Sequence, residues 1–397
     1  MPAQIALVHD WLTGMRGGEK CLESLAAAFP DAHLYTLLHR RGSVSPVIED
    51  RPIHTSMLQR FPGVQRYYRY LLPLMPRAIE GLRLPADIQA VVSFSHAVAG
   101  RVHAPPGVPH ICYCFSPMRY AWHMREAYFG QRRGLRRLNP AAVARDHLLD
   151  RIRAWDRAAS DRVTHFVAIS QTVADRIADC YGRSSTIIYP PVDTDFYEPD
   201  EVPRVPFYLV VSALVPYKRI DLAIEACRRL GRKLVVIGTG PEAKKLKRLA
   251  RGANVRFLGW QSNDVIRQYL QCCRALLFPG CEDFGIVPLE AQACGAPVIA
   301  YGAGGATETV LPASEDTPGT GRFFAEQTPE SLMAAMTWAE QHLDAFCPNK
   351  ARAQAERFNK ARFNAELLAF IQRVIASARV NSVPQIQPDV AAMRRAG

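Results

Sequence analysis

From Phe207 onward, short apolar runs alternate with amphipathic stretches. Strand text "FYLVVSAL", "KLVVIG", "NVRFLG", "ALLFPG" and "PVIAYG" is interleaved with helical text over Ile220 to Leu230, Pro241 to Ala250, Asp264 to Cys272 and Ile286 to Cys294. Apolar runs this short, each followed by one amphipathic crossover, specify a parallel sheet covered by helices on both faces. The N-terminal half carries the same alternation less regularly. A run from Ile5 to Val8 leads into the glycine-containing turn "TGMRGGEK" and a helix through Phe29. "HLYTL", "AVVSF" (Ala90 to Phe94), "HICYCF" (His110 to Phe115) and "HFVAIS" (His165 to Ser170) follow. Between the halves stands "PPVDTDFYEPDEVPRVP", rich in proline and acid, which reads as a linker.

The predicted organisation is therefore α/β: a first domain over 1–190, a linker over 191–206, and a second domain over 207–378. That second domain closes with C-terminal helices over Lys350 to Arg379, and a loose tail covers 379–397. Two doubly wound halves leave a cleft between them, and open α/β sheets bind ligands at the carboxyl ends of their strands.

At roughly 150 residues per domain, a chain of 397 holds two cores and is not a lone small module. With 48% hydrophobic and 22% charged residues, disordered and coiled-coil classes are excluded. No apolar run approaches the ~20 residues that span a bilayer, and "MPAQIALVHDW" lacks the pattern of a secretory leader, so a cytoplasmic protein is expected. The ten cysteines lie mostly in apolar text without zinc-type spacing and read as reduced core thiols. Net charge is +12, and the excess is concentrated: Arg51 to Arg153 holds sixteen basic residues against five acidic ones. Such a segment attracts phosphate, whether of nucleic acid, of anionic lipid or of a nucleotide-activated substrate.

The most specific signal is "FPGCEDFGIVPLEAQACGAPVIAYG". A strand ends in a loop with Glu282 and Asp283, Gly285 permits a tight entry, and a helix carrying Glu290 follows. The amides of Phe284, Gly285, Ile286 and Val287 open that helix and can donate to an anion favoured by the helix dipole. Carboxylates beside such a site can accept hydrogen bonds from sugar or ribose hydroxyls. Taken singly, two glutamates in a loop and on a helix are ordinary solvated charges.

The run as a whole resembles the E-x7-E motif of glycosyltransferase family 4, matching at Glu282, Phe284, Gly285, Glu290, Ala291, Ala293, Gly295 and Pro297 onward. "SALVPYKRIDLAIEA" from Ser212, "VVIGTGPE" from Val235 and "VRFLGW" from Val255 fall in the order that family requires. "HDWLTGMRGGEK" and "YCFSPMRYAW" resemble the branch of bacterial enzymes that build O-antigen and exopolysaccharide.

The resemblance implies a GT-B fold, two Rossmann-like domains facing a central cleft, with a nucleotide-sugar in the second domain and the acceptor in the first. It implies a retaining transfer without cofactor or essential metal. Departing phosphate helps take the acceptor proton. Glu290 inherits the ribose, Glu282 the donor sugar, and Lys218 the diphosphate, where a compact cation stabilises the leaving group. The donor set expected from the resemblance comprises Gly17, Gly18, Ser212, Lys218, Arg219, Gly238, Gly240, Glu282, Asp283, Phe284, Gly285, Ile286, Val287 and Glu290. His96, Phe115 and Arg119 fall on the acceptor or sugar side. GDP-mannose is the expected donor and a polyprenyl-diphosphate-linked saccharide the expected acceptor. A UDP-sugar donor, a sugar-nucleotide epimerase and a phosphorylase remain alternatives on the same fold.

Two positions depart from the family pattern. Ala213 stands where an arginine is common, leaving Arg219 and Arg16 as candidates to replace it. Phe115 stands where related sequences often carry histidine, leaving His96 as its candidate substitute. Gly17, Gly18, Gly238 and Gly240 suit close approach of backbone to ligand, or simply tight turns. "RYYRYLLPLMPRAIEGLRL" and "FGQRRGLRRLNP" interleave arginines with apolar residues, as in a segment lying on an anionic membrane surface or in a solvated basic helix. A peripheral membrane position follows from the first reading. A basic nucleic-acid-binding protein is the remote alternative function; nucleic acid is not an expected partner, because the basic text lacks a recognised binding module.

Overall fold

The computed structural model describes residues 4–126 and 139–382. Seven parallel strands form the first sheet: β1 (Ile5–His9), β2 (His33–Thr36), β3 (Ile53–Thr55), β4 (Ala90–Ser95), β5 (His110–Cys114), β6 (His165–Ala168) and β7 (Ser185–Ile187). Their spatial order is β3-β2-β1-β4-β5-β6-β7. Six parallel strands form the second: β8 (Val205–Val211), β9 (Lys233–Ile237), β10 (Val255–Gly259), β11 (Cys273–Phe278), β12 (Val298–Tyr301) and β13 (Gly321–Phe324), in the order β10-β9-β8-β11-β12-β13. Both sheets are covered on both faces, and central strands such as β1 and β4 are buried along their whole length. That is why their sequences read as continuous apolar runs instead of alternating ones.

Chain order reverses between β1 and β4 in the first sheet and between β8 and β11 in the second. At such switch points neighbouring crossovers leave for opposite faces, and a crevice opens at the strand ends. In the first sheet this lies beyond His9 and Ser95, and in the second beyond Val211 and Phe278.

Three features differ from the sequence expectation. The segment expected as a linker is packed: Val192 and Tyr197 are buried, and Arg352 Nη1 donates to the carbonyls of Thr194 (2.8 Å) and Tyr197 (2.6 Å). β8 takes up its last two residues. The final helix, Lys360–Ser382, leaves the second domain and joins the core of the first, where Phe363, Leu367 and Ile371 are buried with Leu22, Leu25 and Tyr113. Local periodicity predicts that helix but carries no information about which apolar face it covers. The basic segment after Arg66 is a 3-10 stretch, Tyr68–Leu74, running into a short helix, Met75–Glu80. Tyr68, Met75 and Ile79 are buried, while Tyr70 is 84% exposed. "FGQRRGLRR" falls within 127–138, outside the described residues.

Part of the basic excess is structural. Arg51 is buried and donates to the carbonyls of Ala26, Phe29, Ala32 and Val47 at 2.9–3.2 Å. Arg101 is buried against Asp156 at 2.8 Å. All ten cysteines are free thiols and seven are buried. Among the described residues no helix is long and apolar enough to cross a membrane.

Candidate functional site

The two switch points face each other across the interdomain cleft. On the second sheet, the loop after β8 and the loop after β11 touch at Gly280. A Cβ there would lie 3.0 Å from Lys218 Cα and 3.1 Å from the Tyr217 carbonyl oxygen, so a side chain would have to push the lysine loop back by a few tenths of an ångström. The contact brings together two residues that sequence alone holds far apart: Lys218 Nζ is ion-paired with Glu282.

Beyond Glu282 the chain turns through Gly285, whose φ of 92° favours glycine, into the helix Ile286–Ala293. The first amides of any helix lack intrahelical acceptors, so the Phe284 to Val287 backbone is equipped to receive an anion. About one turn later Glu290 is buried. Its carboxylate accepts from the Tyr197 hydroxyl, raising that phenol's pKa together with burial, and Oε1 lies 3.3 Å from Lys20 Nζ. Lys20 comes from the first domain, on the helix Gly17–Ala28. The preceding glycine loop meets the second domain as well, since a Cβ on Gly17 would lie 3.0 Å from Ile286 Cδ1.

On the first sheet, Asp10 follows β1 and is fully buried. Its Oδ2 accepts the amides of His96 (2.7 Å) and Ala97 (2.9 Å), and its Oδ1 those of Val98 and Ala99 (both 2.7 Å). His96 Nδ1 lies 3.1 Å from Oδ2. Burial pushes the carboxyl up, but the His96 charge and these bonds outweigh it and hold its pKa at about 2. The β1–β4 register, with His9 opposite Phe94, places Asp10 beside the turn after β4. His96 therefore has one ring nitrogen fixed by a carboxylate while the side chain stays about one-third exposed in the cleft. His9, one residue earlier, is buried with Nδ1 3.0 Å from the Trp11 carbonyl oxygen, and burial lowers its pKa. Its Nε2 has no hydrogen-bond partner among the described residues and faces Gly18, where a Cβ would lie 3.4 Å from it and 3.2 Å from the Phe115 ring.

Several expected site residues are placed differently from the sequence expectation. Asp283 does not line a donor pocket: it is buried and ion-paired with Arg119 and Arg176, both from the first domain. Burial opposes its ionisation, yet the two guanidiniums hold its pKa below the usual carboxylate range. Phe284 directs its ring away from the cleft, stacked on Tyr189 at 5.7 Å and tilted against Phe358 at 5.8 Å, so only its backbone remains for an anion. Arg219 adopts a left-handed conformation and is held by Asp221, with Nη2 to Oδ2 at 3.1 Å, so its guanidinium is already committed. The guanidinium that approaches the lysine loop is that of Arg119, with Nη1 3.5 Å from the Tyr217 hydroxyl.

Gly238 and Gly240 make backbone contacts within the second domain. A Cβ on Gly238 would fall 1.9 Å from the Ser212 carbonyl oxygen, and on Gly240 2.3 Å from that of Leu214. The side a Cβ would take is filled by protein, while both glycines remain half-buried. Ser212 Oγ turns to the Ala213 carbonyl at 3.3 Å. Phe115 is buried, 6.4 Å from the His96 ring, so the two share one corner of the cleft.

The domains are also fastened beside the site. Ser170 Oγ donates to the Asp283 carbonyl at 2.5 Å, and Glu308 accepts the amides of Gln171 (2.8 Å) and Thr172 (3.2 Å) at the start of the helix Gln171–Tyr181. Sequence reasoning missed His9, Asp10, Lys20, Tyr197 and Arg176. The first two carried a usable signal, because "VHDW" ends the first strand beside a topological switch.

Two family descriptions match the chain: "Glycosyltransferase Family 4" over residues 15–196 and "Glycosyl transferases group 1" over residues 193–358. Among curated proteins, a GDP-mannose-dependent alpha-(1-6)-phosphatidylinositol monomannoside mannosyltransferase of Mycobacterium tuberculosis is 31% identical over 172 residues, which is 36% of this chain and 45% of the relative. A D-inositol 3-phosphate glycosyltransferase of Mycobacteroides abscessus is 26% identical over 251 residues, covering 57% of this chain and 56% of that protein. The chain thus spans about half the length of the curated relatives it matches. Among solved structures, Anabaena HepE in complex with UDP superposes with a TM-score of 0.65 at 18% identity, over 93% of this chain and 100% of that one. That likeness identifies the architecture as GT-B.

Proposed function

The chain belongs to glycosyltransferase family 4, and we propose that it transfers a sugar from a nucleotide donor, with retention, onto a lipid-linked saccharide. The observation that carries this reading is the meeting of Lys218 with Glu282, beside a helix start, at the switch point of the second sheet. In this reading the donor diphosphate lies against the Phe284 to Val287 amides and Lys218. Glu282 orients the donor sugar. Glu290, steadied by Tyr197 and Lys20, holds the ribose.

The bond from the anomeric carbon to the diphosphate breaks as the acceptor oxygen bonds to the same face, and the acceptor proton passes to the departing phosphate oxygen. Charge grows on the leaving group, where a fixed cation and helix amides stabilise it without reorganisation. No metal is assigned a role. His96 and Gly18 border the acceptor side.

GDP-mannose is the proposed donor, supported by the donor named for the mycobacterial relative. The acceptor is proposed to be a polyprenyl-diphosphate-linked saccharide of cell-surface polysaccharide synthesis. The enzyme would work at the inner face of the cell membrane, using the basic and aromatic segment after Arg66. The test is thermal-shift screening of nucleotide-sugars, followed by transfer of labelled sugar into organic-extractable lipid, since a ligand that binds the folded form raises its melting temperature. GDP-mannose should give the largest shift and label the lipid. A shift with a UDP-sugar alone would replace the donor. Binding without transfer to any lipid would favour an epimerase or phosphorylase.

A further inference from the structure

At the switch point of the first sheet the imidazole of His96 is held from several sides. Asp10, fully buried after β1, has both carboxylate oxygens filled by the amides of His96, Ala97, Val98 and Ala99, and still meets His96 Nδ1 at 3.1 Å. The Trp11 ring packs edge-on against the same imidazole at 4.6 Å and is itself backed by Tyr68 at 5.1 Å. A carboxylate only accepts hydrogen bonds, so Nδ1 carries a proton toward it, and in the uncharged ring Nε2 keeps a lone pair. That nitrogen has no hydrogen-bond partner among the described residues, and the side chain is about one-third exposed in the cleft. His9 differs. Its Nδ1 is likewise committed, to the Trp11 carbonyl, but its Nε2 is closed off behind Gly18 and Phe115. Of these two rings, only His96 can reach a ligand.

We propose that His96 determines acceptor specificity, its Nε2 accepting a hydrogen bond from a hydroxyl of the acceptor sugar, with Asp10 as the positioning residue behind it. The inference deepens the transferase reading and rests on it. The two walls of the cleft differ in chemistry. The second domain presents helix amides and the Lys218 ammonium, which are donors suited to a diphosphate. The first-domain corner presents a ring nitrogen with a carboxylate behind it, between the aromatic rings of Trp11 and Phe115. Phosphate oxygens only accept, so a lone pair there repels them and selects an O–H group. The glycine turn joins this corner to the donor side: a Cβ on Gly18 would lie 3.2 Å from the Phe115 ring, and one on Gly17 3.0 Å from Ile286 Cδ1. The hydroxyl that His96 reads is not the attacking one, whose proton passes to the departing phosphate. Binding a neighbouring hydroxyl instead fixes which oxygen of the acceptor ring points at the anomeric carbon. A site built to hydrogen-bond a hydroxyl rejects an analogue that lacks it, because its own polar group is then left unpaired.

The test follows transfer at pH 8 from the labelled nucleotide-sugar that raises the melting temperature most. The acceptor probes are octyl glycosides of mannose, glucose and galactose, with monodeoxy analogues of the best of them. The full chain is compared with His96→Phe and His96→Gln. Replacing His96 leaves Asp10 bonded to four amides, and an unchanged melting temperature verifies that both variants fold. His96→Phe should raise the acceptor KM by about five- to tenfold, the loss of one neutral hydrogen bond, and leave the donor KM within about twofold. His96→Gln, whose amide oxygen can accept in the same region, should recover part of the loss. One monodeoxy analogue should cost the wild type a similar factor and cost His96→Phe nothing further, since the hydroxyl and the ring nitrogen are partners. An acceptor KM unchanged in His96→Phe, a rise in donor KM instead, or deoxy losses identical in wild type and variant would overturn the proposal and leave the transferase reading standing. A wild-type chain that binds a nucleotide-sugar yet uses none of the glycosides would also overturn it. If no nucleotide-sugar stabilises the chain, the transferase reading falls and this inference with it.

Discussion

Lys20 Nζ lies 3.3 Å from Glu290 Oε1, a contact that crosses from the helix after the first strand to the helix after the E-x7-E entry. The glutamate expected to hold the ribose is thus positioned from both domains, by Lys20 on one side and the buried Tyr197 on the other.

Glu290→Ala should weaken nucleotide-sugar binding more than Glu282→Ala. Glu290 is the more buried and has two fixed partners, and lost charge-assisted hydrogen bonds of about 1.5–3 kcal/mol each correspond to roughly ten- to hundredfold in affinity. Donor dissociation constants by calorimetry decide it, and equal losses would undo the division of roles between the two glutamates.

Replacing Lys218 acts on the chemical step. Lys218→Ala is expected to lower kcat by about 10²–10³, the scale of removing one preorganised charge-stabilising group, with a smaller change in donor KM. A rise in KM alone, with kcat preserved, would make Lys218 a ground-state contact. Adding a chelator should leave the wild-type rate unchanged.

Asp10 links the site to stability. Its folded pKa of about 2 lies below the value of 3.8 for a free side chain, so it contributes stability above about pH 4 that is lost as pH falls toward 2. The contribution is about 2 kcal/mol. Asp10→Asn should lower the denaturant midpoint at pH 7 and flatten the decline between pH 4 and pH 2. An unchanged acid limb would show that Asp10 is not the group titrating there.

Asp283→Asn should open the cleft. It leaves Arg119 and Arg176 crowded around a neutral group, and breaking a buried pair from one side costs about 3–5 kcal/mol. Domain separation relieves that cost, so the radius of gyration from small-angle scattering should rise while each domain keeps its helix content. No change in size would mean that Ser170 and Glu308 suffice to hold the domains together.

Much of the fold was legible because its signals are local. Apolar runs and amphipathic stretches marked most strands and helices, and Gly285 with Glu282 and Glu290 marked the site entry, since strand burial and a tight helix start leave their mark within a few residues. The short strands β3, β7 and β13 were missed, as three or four residues carry little periodicity.

The amino-acid order by itself determined two doubly wound sheets and the strand-to-helix loop that carries Glu282 and Glu290, while the strand order, and with it the switch points, came from the tertiary structure. Only the tertiary structure decided that Asp283 serves the domain interface, that the last helix completes the first core, and which partners steady Glu290. Those contacts join residues 107 and 270 positions apart, as in Arg176 with Asp283 and Lys20 with Glu290. No local propensity reaches that far. They exist because two rigid sheets dock, and docking is set by complementary surfaces and charges that the chain assembles only once both cores have formed.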